Sequence, residues 1–155
     1  MAQLRKAEGQ IEMKCDADKF FNVWTQSTNL VSKMSPNCFP KIELHQGNSW
    51  HSLGAVKSWH YISPNGAIEF VKTKVVEIDE KSKSVRYDYL DGHILRNYYK
   101  SFKSKIQAIP KEGQGCFVKW SFEYEKKAVD APDADIYIDF LLGCAKDMDA
   151  PICSA

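Results

Sequence analysis

The sequence has 155 residues, with 21 basic and 20 acidic side chains, a net charge of +1 and a hydrophobic content of 44%. This length suggests one domain over residues 1–155, and the near-neutral charge argues against nucleic-acid partners, whose binding usually needs a basic surface. We find no apolar run of signal-peptide or membrane-spanning length, so we expect a cytoplasmic protein without a membrane span.

The first third of the chain predicts one strand and two short helices. Strand-like alternation runs from Leu4 to Lys14. Asp16 resembles a helix N-cap, Ala17–Thr25 follow with helical spacing, and a second short helix over Asn29–Met34 ends before Pro36. Because two such short helices cannot form a core by themselves, we expect them to cover one end of a sheet.

The middle of the chain alternates like a series of strands. The predicted strands are Lys41–Gln46, Ala55–Ile62, Ala67–Asp79, Ser84–Leu90, His93–Ile109 and Cys116–Lys126. Turn sequences such as Pro64-Asn65-Gly66 and Asp91-Gly92 separate them, and His93–Ile109 is long enough to need a bend or a bulge. Successive hairpins predict an antiparallel sheet of seven strands in total.

The last segment, Pro132–Ala150, carries the only long helical pattern. At about 100° per residue its apolar side chains share one arc. They are Ile136, Tyr137, Phe140, Leu141, Cys144, Ala145 and Met148. Asp130 is expected to cap the start of the helix and Pro151 to end it. One helix with so wide an apolar face needs a curved sheet to lie in, so the sequence predicts an α+β fold in which the sheet wraps around this helix.

Aromatic side chains occupy the strand phase that is expected to face inward. They are Trp59, Tyr61, Tyr87, Tyr89, Phe102, Trp120, Phe122 and Tyr124. Tyrosine and tryptophan combine apolar rings with polar tips, which suits a ligand pocket with a few orienting hydrogen bonds. An aromatic core explains the same pattern, and composition alone does not decide between the two.

Few other residues suggest chemistry. Lys57 shares the inward phase, where a desolvated amine could act as a base or nucleophile, although we expect its side chain to reach solvent. His45 precedes a glycine-bounded loop, Gly47–Gly54, and His51 lies within it. A strand follows that loop, so a hairpin is favoured over a phosphate site. We find no histidine at metal-ligand spacing and no paired catalytic residues, and we expect neither a metal nor a cofactor.

The cysteines, Cys15, Cys38, Cys116, Cys144 and Cys153, stand at wide and irregular spacings. An odd number without any CxxC pair argues against a zinc site or a disulfide framework. Since a cytosolic chain keeps its thiols reduced, we expect five free thiols, with Cys144 acting as a small buried hydrophobic residue.

Several short stretches, in the same order along the chain, resemble the major latex protein branch of the birch-pollen-allergen superfamily, also called the pathogenesis-related class-ten superfamily. They are Ser35-Pro36, Gly47-Asn48-Ser49-Trp50 with Leu53-Gly54, Ile78–Val85, Tyr99–Phe102 and Trp120–Lys126. The resemblance implies a START-like helix-grip fold that encloses a large apolar cavity between sheet and helix, which we expect to measure at least roughly several hundred Å³.

The resemblance also implies a function. We expect an intracellular plant protein, a monomer or weak dimer, that binds a sterol, hormone, flavonoid, terpenoid or alkaloid in defence or hormone response. The alternative is a cofactor-independent cyclase, isomerase or condensing enzyme that uses the same cavity. The expected ligand-binding residues are Trp24, Leu30, Met34, Lys57, Trp59, Tyr61, Tyr87, Tyr89, Phe102, Trp120, Tyr124, Tyr137, Phe140, Leu141 and Cys144.

Overall fold

A computed structural model describes residues 4–154 as a curved sheet that packs against helices. Its elements are β1 Arg5–Met13, α1 Ala17–Gln26, α2 Thr28–Met34, β2 Lys41–Gln46, β3 Val56–Ile62, β4 Ile68–Asp79, β5 Ser84–Gly92, α3 His93–Asn97, β6 Tyr99–Pro110, β7 Cys116–Lys126 and α4 Asp135–Ser154. Most predicted elements are present within a few residues of their expected bounds.

The seven strands form one antiparallel sheet in the order β1-β7-β6-β5-β4-β3-β2. Neighbours in the sheet from β2 to β7 are also neighbours in sequence, and β1 joins the far edge by pairing with β7. Register shifts in the β4–β5 and β6–β7 pairs bend the strands, which helps the sheet to curve. The curved sheet, the short helices after β1 and the long C-terminal helix confirm the predicted helix-grip fold.

Hydrogen bonds hold the start of α4 to β7 and its end to the residues that follow β1. At its start the backbone N–H of Ala134 donates to the Tyr124 hydroxyl (3.1 Å). Near its end the Asp149 carboxylate accepts the backbone N–H groups of Lys14 (2.9 Å) and Cys15 (3.0 Å). These contacts fix the helix across the sheet and therefore set the position of every side chain on its inner face.

The long helix differs from its prediction at both ends. It begins at Asp135 instead of Pro132, and the exposed Asp130 precedes it instead of capping it. It also continues through Pro151 to Ser154. A proline costs one backbone hydrogen bond, but Ile152 is fully buried, and this burial favours continuing the helix for its last turn.

Two further predictions are wrong, one about a residue of α4 and one about a strand. Ile136, placed on the apolar arc of α4, is 43% exposed because it lies at the edge of the packed face. The predicted strand His93–Ile109 is interrupted, since its first residues form α3. Gly92 allows the chain to turn from β5 into α3, because it adopts a φ of 134°. Its N–H donates to the Asp91 carboxylate (2.8 Å).

We expect Gly92→Ala to lower the free energy of unfolding by about 2 kcal/mol, because the backbone is strained for any side chain there. An added Cβ would also clash with the Phe70 carbonyl oxygen. Gly143→Ala is the matched control, since it lies on the exposed side of α4 with open space around it. The free energy of unfolding of this control is expected to rise by up to about 1 kcal/mol, because alanine is a better helix former than glycine. Urea unfolding measures both, and equal effects would contradict the assignment of strain to Gly92.

The prediction of five free thiols is wrong, because Cys38 and Cys144 form a disulfide with their Cα atoms 5.9 Å apart. The bond joins the connection between α2 and β2 to the inner side of α4. These residues are separated by 106 positions in sequence, so their spacing gives no hint of the pairing. Cys15 and Cys116, both buried, and the exposed Cys153 are free.

Candidate ligand-binding pocket

A pocket lies between the inner face of the sheet, α1 and the first turns of α4. Its volume is about 60 Å³. The lining residues are Trp24, Phe39, Trp59, Tyr61, Val71, Thr73, Tyr87, Tyr89, Ile94, Phe102, Ser104, Trp120, Phe122, Tyr137, Phe140 and Leu141. This set is almost entirely aromatic and aliphatic, with polar atoms only at the tips of a few side chains.

The expected cavity of several hundred Å³ is wrong in size, because stacked rings fill most of the space. The Trp24 ring stacks on Trp59, with their centroids 5.1 Å apart, and meets Trp120 edge-on at 5.5 Å. Phe39 closes another side against Trp59 and Phe140, at 5.8 and 5.9 Å. A pocket of this volume holds a few water molecules or a small organic group while the rings stay in place.

The polar atoms of the pocket belong to neutral hydroxyl and indole N–H groups. Trp24 Nε1 donates to the Tyr87 hydroxyl (3.2 Å), and Trp59 Nε1 donates to Thr73 Oγ1 (2.9 Å). Burial raises the pKa of Tyr89 to about 12 and also raises the pKa of Tyr87. These tyrosines therefore stay protonated at neutral pH and can orient a ligand through hydrogen bonds without carrying charge.

One end of the pocket connects to a carboxylate. The hydroxyl of Tyr61, a lining residue, donates to Glu69 Oε1 (3.0 Å). The other oxygen of Glu69 lies 3.3 Å from His93 Nε2, and the His93 side chain is 39% exposed. Burial and the Glu69 charge both raise the pKa of Tyr61. The three side chains form a path of polar contacts from the pocket towards solvent, one of them a hydrogen bond and the other a contact of ion-pair length.

Lys57 is buried instead of reaching solvent, which corrects the prediction. It is 1% exposed, and its Nζ donates to the backbone carbonyl of Trp50 (3.0 Å) in the loop between β2 and β3. Nζ also lies 5.4 Å from the Trp59 ring centroid and 5.2 Å from that of Tyr87. Desolvation lowers the pKa of Lys57 to about 7. The hydrogen bond to Trp50 holds the amine beneath the loop.

Most of the expected ligand-binding residues surround the pocket, but five do not. Leu30 and Met34 lie on α2, outside the lining, because this helix covers the end of the sheet. Tyr124 instead caps α4, Cys144 forms the disulfide, and Lys57 lies behind two lining rings. Whether the remaining residues bind a ligand stays a prediction.

The sequence patterns missed Phe39, Val71, Thr73, Ile94 and Ser104, and Phe122 was expected on the inward phase but not among the ligand-binding residues. Phe122 and Thr73 lie on strands whose alternation of side chains predicts their inward direction. Phe39 lies outside every helix and strand, and Ile94 lies on α3, where the sequence pattern predicts a strand. Their place in the lining depends on tertiary structure that no local pattern encodes.

The histidines lie outside the lining. His45 Nε2 is 2.6 Å from the Ser58 hydroxyl, and His51 Nε2 is 2.6 Å from Glu80 Oε1. His60 Nε2 lies 3.5 Å from Glu43 Oε1 on the sheet edge. Within residues 4–154, we find no group of three histidine, cysteine or acidic residues that could hold a metal ion. In the same part of the chain, we find no helix both long and apolar enough to cross a bilayer.

The sequence matches the Pathogenesis-related protein Bet v 1 family over residues 2–155. MLP-like protein 43 of Arabidopsis thaliana is 30% identical over 145 residues, which cover 93% of this chain and 90% of that protein. Major latex protein 146 of Papaver somniferum is 28% identical over 93% of this chain and 88% of its own length. The chain spans only 44% of another relative, MLP-like protein 34 of Arabidopsis thaliana.

Solved structures agree with this assignment. Ginseng major latex-like protein 151 from Panax ginseng superposes with a TM-score of 0.88 at 30% identity, covering 96% of this chain and 97% of that one. Norcoclaurine synthase from Thalictrum flavum, at 18% identity and a TM-score of 0.69 over 99% and 86% of the two chains, shares the fold. The chain therefore belongs to the Bet v 1 family, within its major latex protein branch, which supports a ligand-binding plant protein.

Proposed function

We propose that this protein binds a hydrophobic small molecule in the pocket between its sheet and α4. The observation that carries the proposal is a lining of aromatic and aliphatic side chains with a few neutral hydroxyl groups, the composition of a small-molecule site. The ligand is of sterol, hormone, flavonoid, terpenoid or alkaloid type. The protein acts as a monomer or weak dimer in defence or hormone response. The proposed location is the cytoplasm, although the Cys38–Cys144 disulfide is unusual for that reducing compartment.

The volume of about 60 Å³ sets a condition on binding. A ligand larger than a few atoms enters only when lining rings turn aside, and Trp24 and Phe39 are the rings best placed to do so. Neither lies on a strand: Trp24 lies on the short helix α1, and Phe39 lies in the connection before β2. Binding of a larger ligand is therefore expected to be coupled to movement of this end of the fold.

Binding of the neutral fluorescent probe N-phenyl-1-naphthylamine tests the proposal. We expect saturable binding with a dissociation constant in the micromolar range, the order of affinity that moderate burial of an apolar probe provides. Val71→Phe fills the pocket and is expected to weaken binding at least about tenfold, a loss of about 1.4 kcal/mol. Circular dichroism checks that each variant stays folded.

Val76→Phe is the matched control, because Val76 lies on the same strand but is 41% exposed. It is expected to leave probe affinity unchanged. If the wild type shows no saturable binding, or if both substitutions have the same effect, the proposed ligand site is wrong.

A second candidate function is an enzyme of specialised metabolism, a cyclase, isomerase or condensing enzyme acting on a terpenoid or alkaloid intermediate. The observation that favours it is the path from Tyr61 through Glu69 to His93, which could carry a proton between a bound molecule and solvent. Only the first member of this path lines the pocket. The hydroxyl-lined pocket itself favours the carrier, so the enzyme remains the alternative.

A further inference from the structure

The amine of Lys57 lies against two walls of the pocket. Its Nζ is over the rings of Trp59 and Tyr87, within 5.4 and 5.2 Å of their centroids, and both rings line the pocket. The residue is 1% exposed, so bulk water does not surround the amine. Lys57 therefore places a nucleophilic amine in an apolar environment. Binding of a ligand through the neutral hydroxyl groups of the lining does not require such an amine.

The surroundings of Nζ suit a neutral amine better than an ammonium ion. Among residues 4–154, the carbonyl of Trp50 is its only hydrogen-bond acceptor, at 3.0 Å, and we find no carboxylate paired with it. An ammonium ion has three N–H donors, so two would have only ring faces to contact. A neutral amine has two N–H donors and a lone pair. Desolvation favours this neutral form and lowers the pKa to about 7.

We propose that Lys57 captures small aldehydes that enter the pocket, by forming an imine between its Nζ and the carbonyl carbon. The inference rests on the pocket of the proposed function and adds a chemical class of ligand to it. A volume of about 60 Å³ fits a slender aldehyde of a few carbon atoms without ring movement.

The reaction needs no further reactant. The Nζ lone pair forms a bond to the carbonyl carbon, and the carbonyl oxygen takes one proton from nitrogen to give a carbinolamine. The carbon–oxygen bond then breaks, and the hydroxyl leaves with the second nitrogen proton as water. The product is a carbon–nitrogen double bond. Water returns the free amine and the aldehyde by the reverse path.

Access requires local movement of Lys57 and of the two rings. The lysine stem is flexible and its amine has a single hydrogen-bond partner, so breaking the bond to Trp50 frees Nζ. The rings of Trp59 and Tyr87 meet edge-on with their centroids 6.1 Å apart, so they also have to separate before the amine enters the pocket. The neighbouring side chains of Thr73 and Leu44, which pair with Lys57 across the sheet, carry no charge that would hold the amine elsewhere.

Brief labelling of the native protein with butanal and sodium cyanoborohydride at pH 7 tests the proposal, because the hydride converts each imine into a stable secondary amine. Mass spectrometry of peptides then gives the labelling rate at each lysine. We expect Lys57 to react at least about tenfold faster than Lys74, an exposed lysine on β4. An exposed lysine is neutral in only roughly one molecule in several thousand at this pH. Equal or slower labelling of Lys57 would overturn the proposal.

Two controls tie the reactivity to the fold and to the pocket. In urea the preference for Lys57 is expected to disappear, and its persistence there would show that local sequence causes it. Saturation of the native protein with N-phenyl-1-naphthylamine is expected to slow labelling of Lys57 but not of Lys74. If the probe slows neither, aldehyde reaches Lys57 from outside the pocket and the proposal is wrong.

The variant Lys57→Arg keeps a long cationic side chain but cannot form a stable imine. It is expected to lose the fast-labelled peptide. Probe binding by the wild type without a Lys57 adduct would defeat this proposal alone. Absence of probe binding in the wild type would instead defeat the proposed ligand site. Because the wild-type labelling rates decide the question, the test does not depend on the variant folding.

Discussion

In a non-reducing buffer, Cys38→Ser is expected to lower the free energy of unfolding by about 4 kcal/mol. The disulfide between Cys38 and Cys144 spans 106 residues, so its loss returns much conformational freedom to the unfolded chain. The bond also joins two walls of the pocket, since Phe39 follows Cys38 directly and Phe140 lies about one turn before Cys144 on α4. Guanidinium unfolding monitored by tryptophan fluorescence measures the change.

Two controls separate the effect of losing the disulfide from the effect of changing the side chain. In dithiothreitol the wild type and Cys38→Ser are expected to differ by less than about 1 kcal/mol, because neither then holds a disulfide. Cys153→Ser, which replaces an exposed free cysteine, is expected to change stability by no more than about 0.5 kcal/mol in either buffer. A large loss for Cys38→Ser that persists in dithiothreitol would mean that packing, and not the bond, is responsible.

The sheet and the long helix could be predicted from the sequence because their signals are local. Cys116–Lys126 alternates along its whole length, and it forms the strand β7 with the predicted bounds. Lys41–Gln46 was also predicted with its observed bounds. The helical arc after Pro132 placed Tyr137, Phe140 and Leu141 on the pocket side, since a period of 3.6 residues fixes which side chains share a face.

The depth of Lys57, the position of Phe39 and the pocket volume depend on contacts between residues that are distant in sequence. The sequence gives the strand phase of Lys57 but not its depth, and only the loop carrying Trp50 decides that its amine is covered. Phe39 lies in an irregular connection, where no period predicts a direction. The strand pattern predicts that the aromatic residues face inward, but it does not predict how their rings stack, and this stacking sets the pocket volume. Such stacking depends on side-chain rotamers that a strand pattern does not determine.

Lys57→Met is expected to raise the free energy of unfolding by about 3 kcal/mol at or below pH 7. The fall in pKa from 10.5 to about 7 means that folding has to bury or neutralise a charged amine, at a cost of about 5 kcal/mol. Methionine has a similar shape and carries no charge. Loss of the hydrogen bond to Trp50 and of the contacts with Trp59 and Tyr87 offsets about 2 kcal/mol of the gain.

The pH dependence has a definite sign. Below pH 7 both the folded and the unfolded wild type hold the Lys57 proton, so the full cost is present. Between about pH 7 and pH 10.5 only the unfolded chain keeps this proton, and the wild type gains stability relative to Lys57→Met as pH rises. The tyrosines around Lys57 titrate in both proteins, so their effect is removed by taking the difference between the two unfolding curves at each pH.

Urea unfolding at several pH values between 6 and 10 measures this difference, with Lys74→Met as the matched control on the exposed face of the sheet. The control is expected to differ from the wild type by no more than about 0.5 kcal/mol at every pH. For Lys57→Met the gain is expected to stay nearly constant from pH 6 to about pH 7 and then to shrink as the pH rises further. A difference that stays constant across this range would mean that Lys57 keeps an ordinary pKa in the folded protein. The neutral amine on which aldehyde capture depends would then be absent at pH 7.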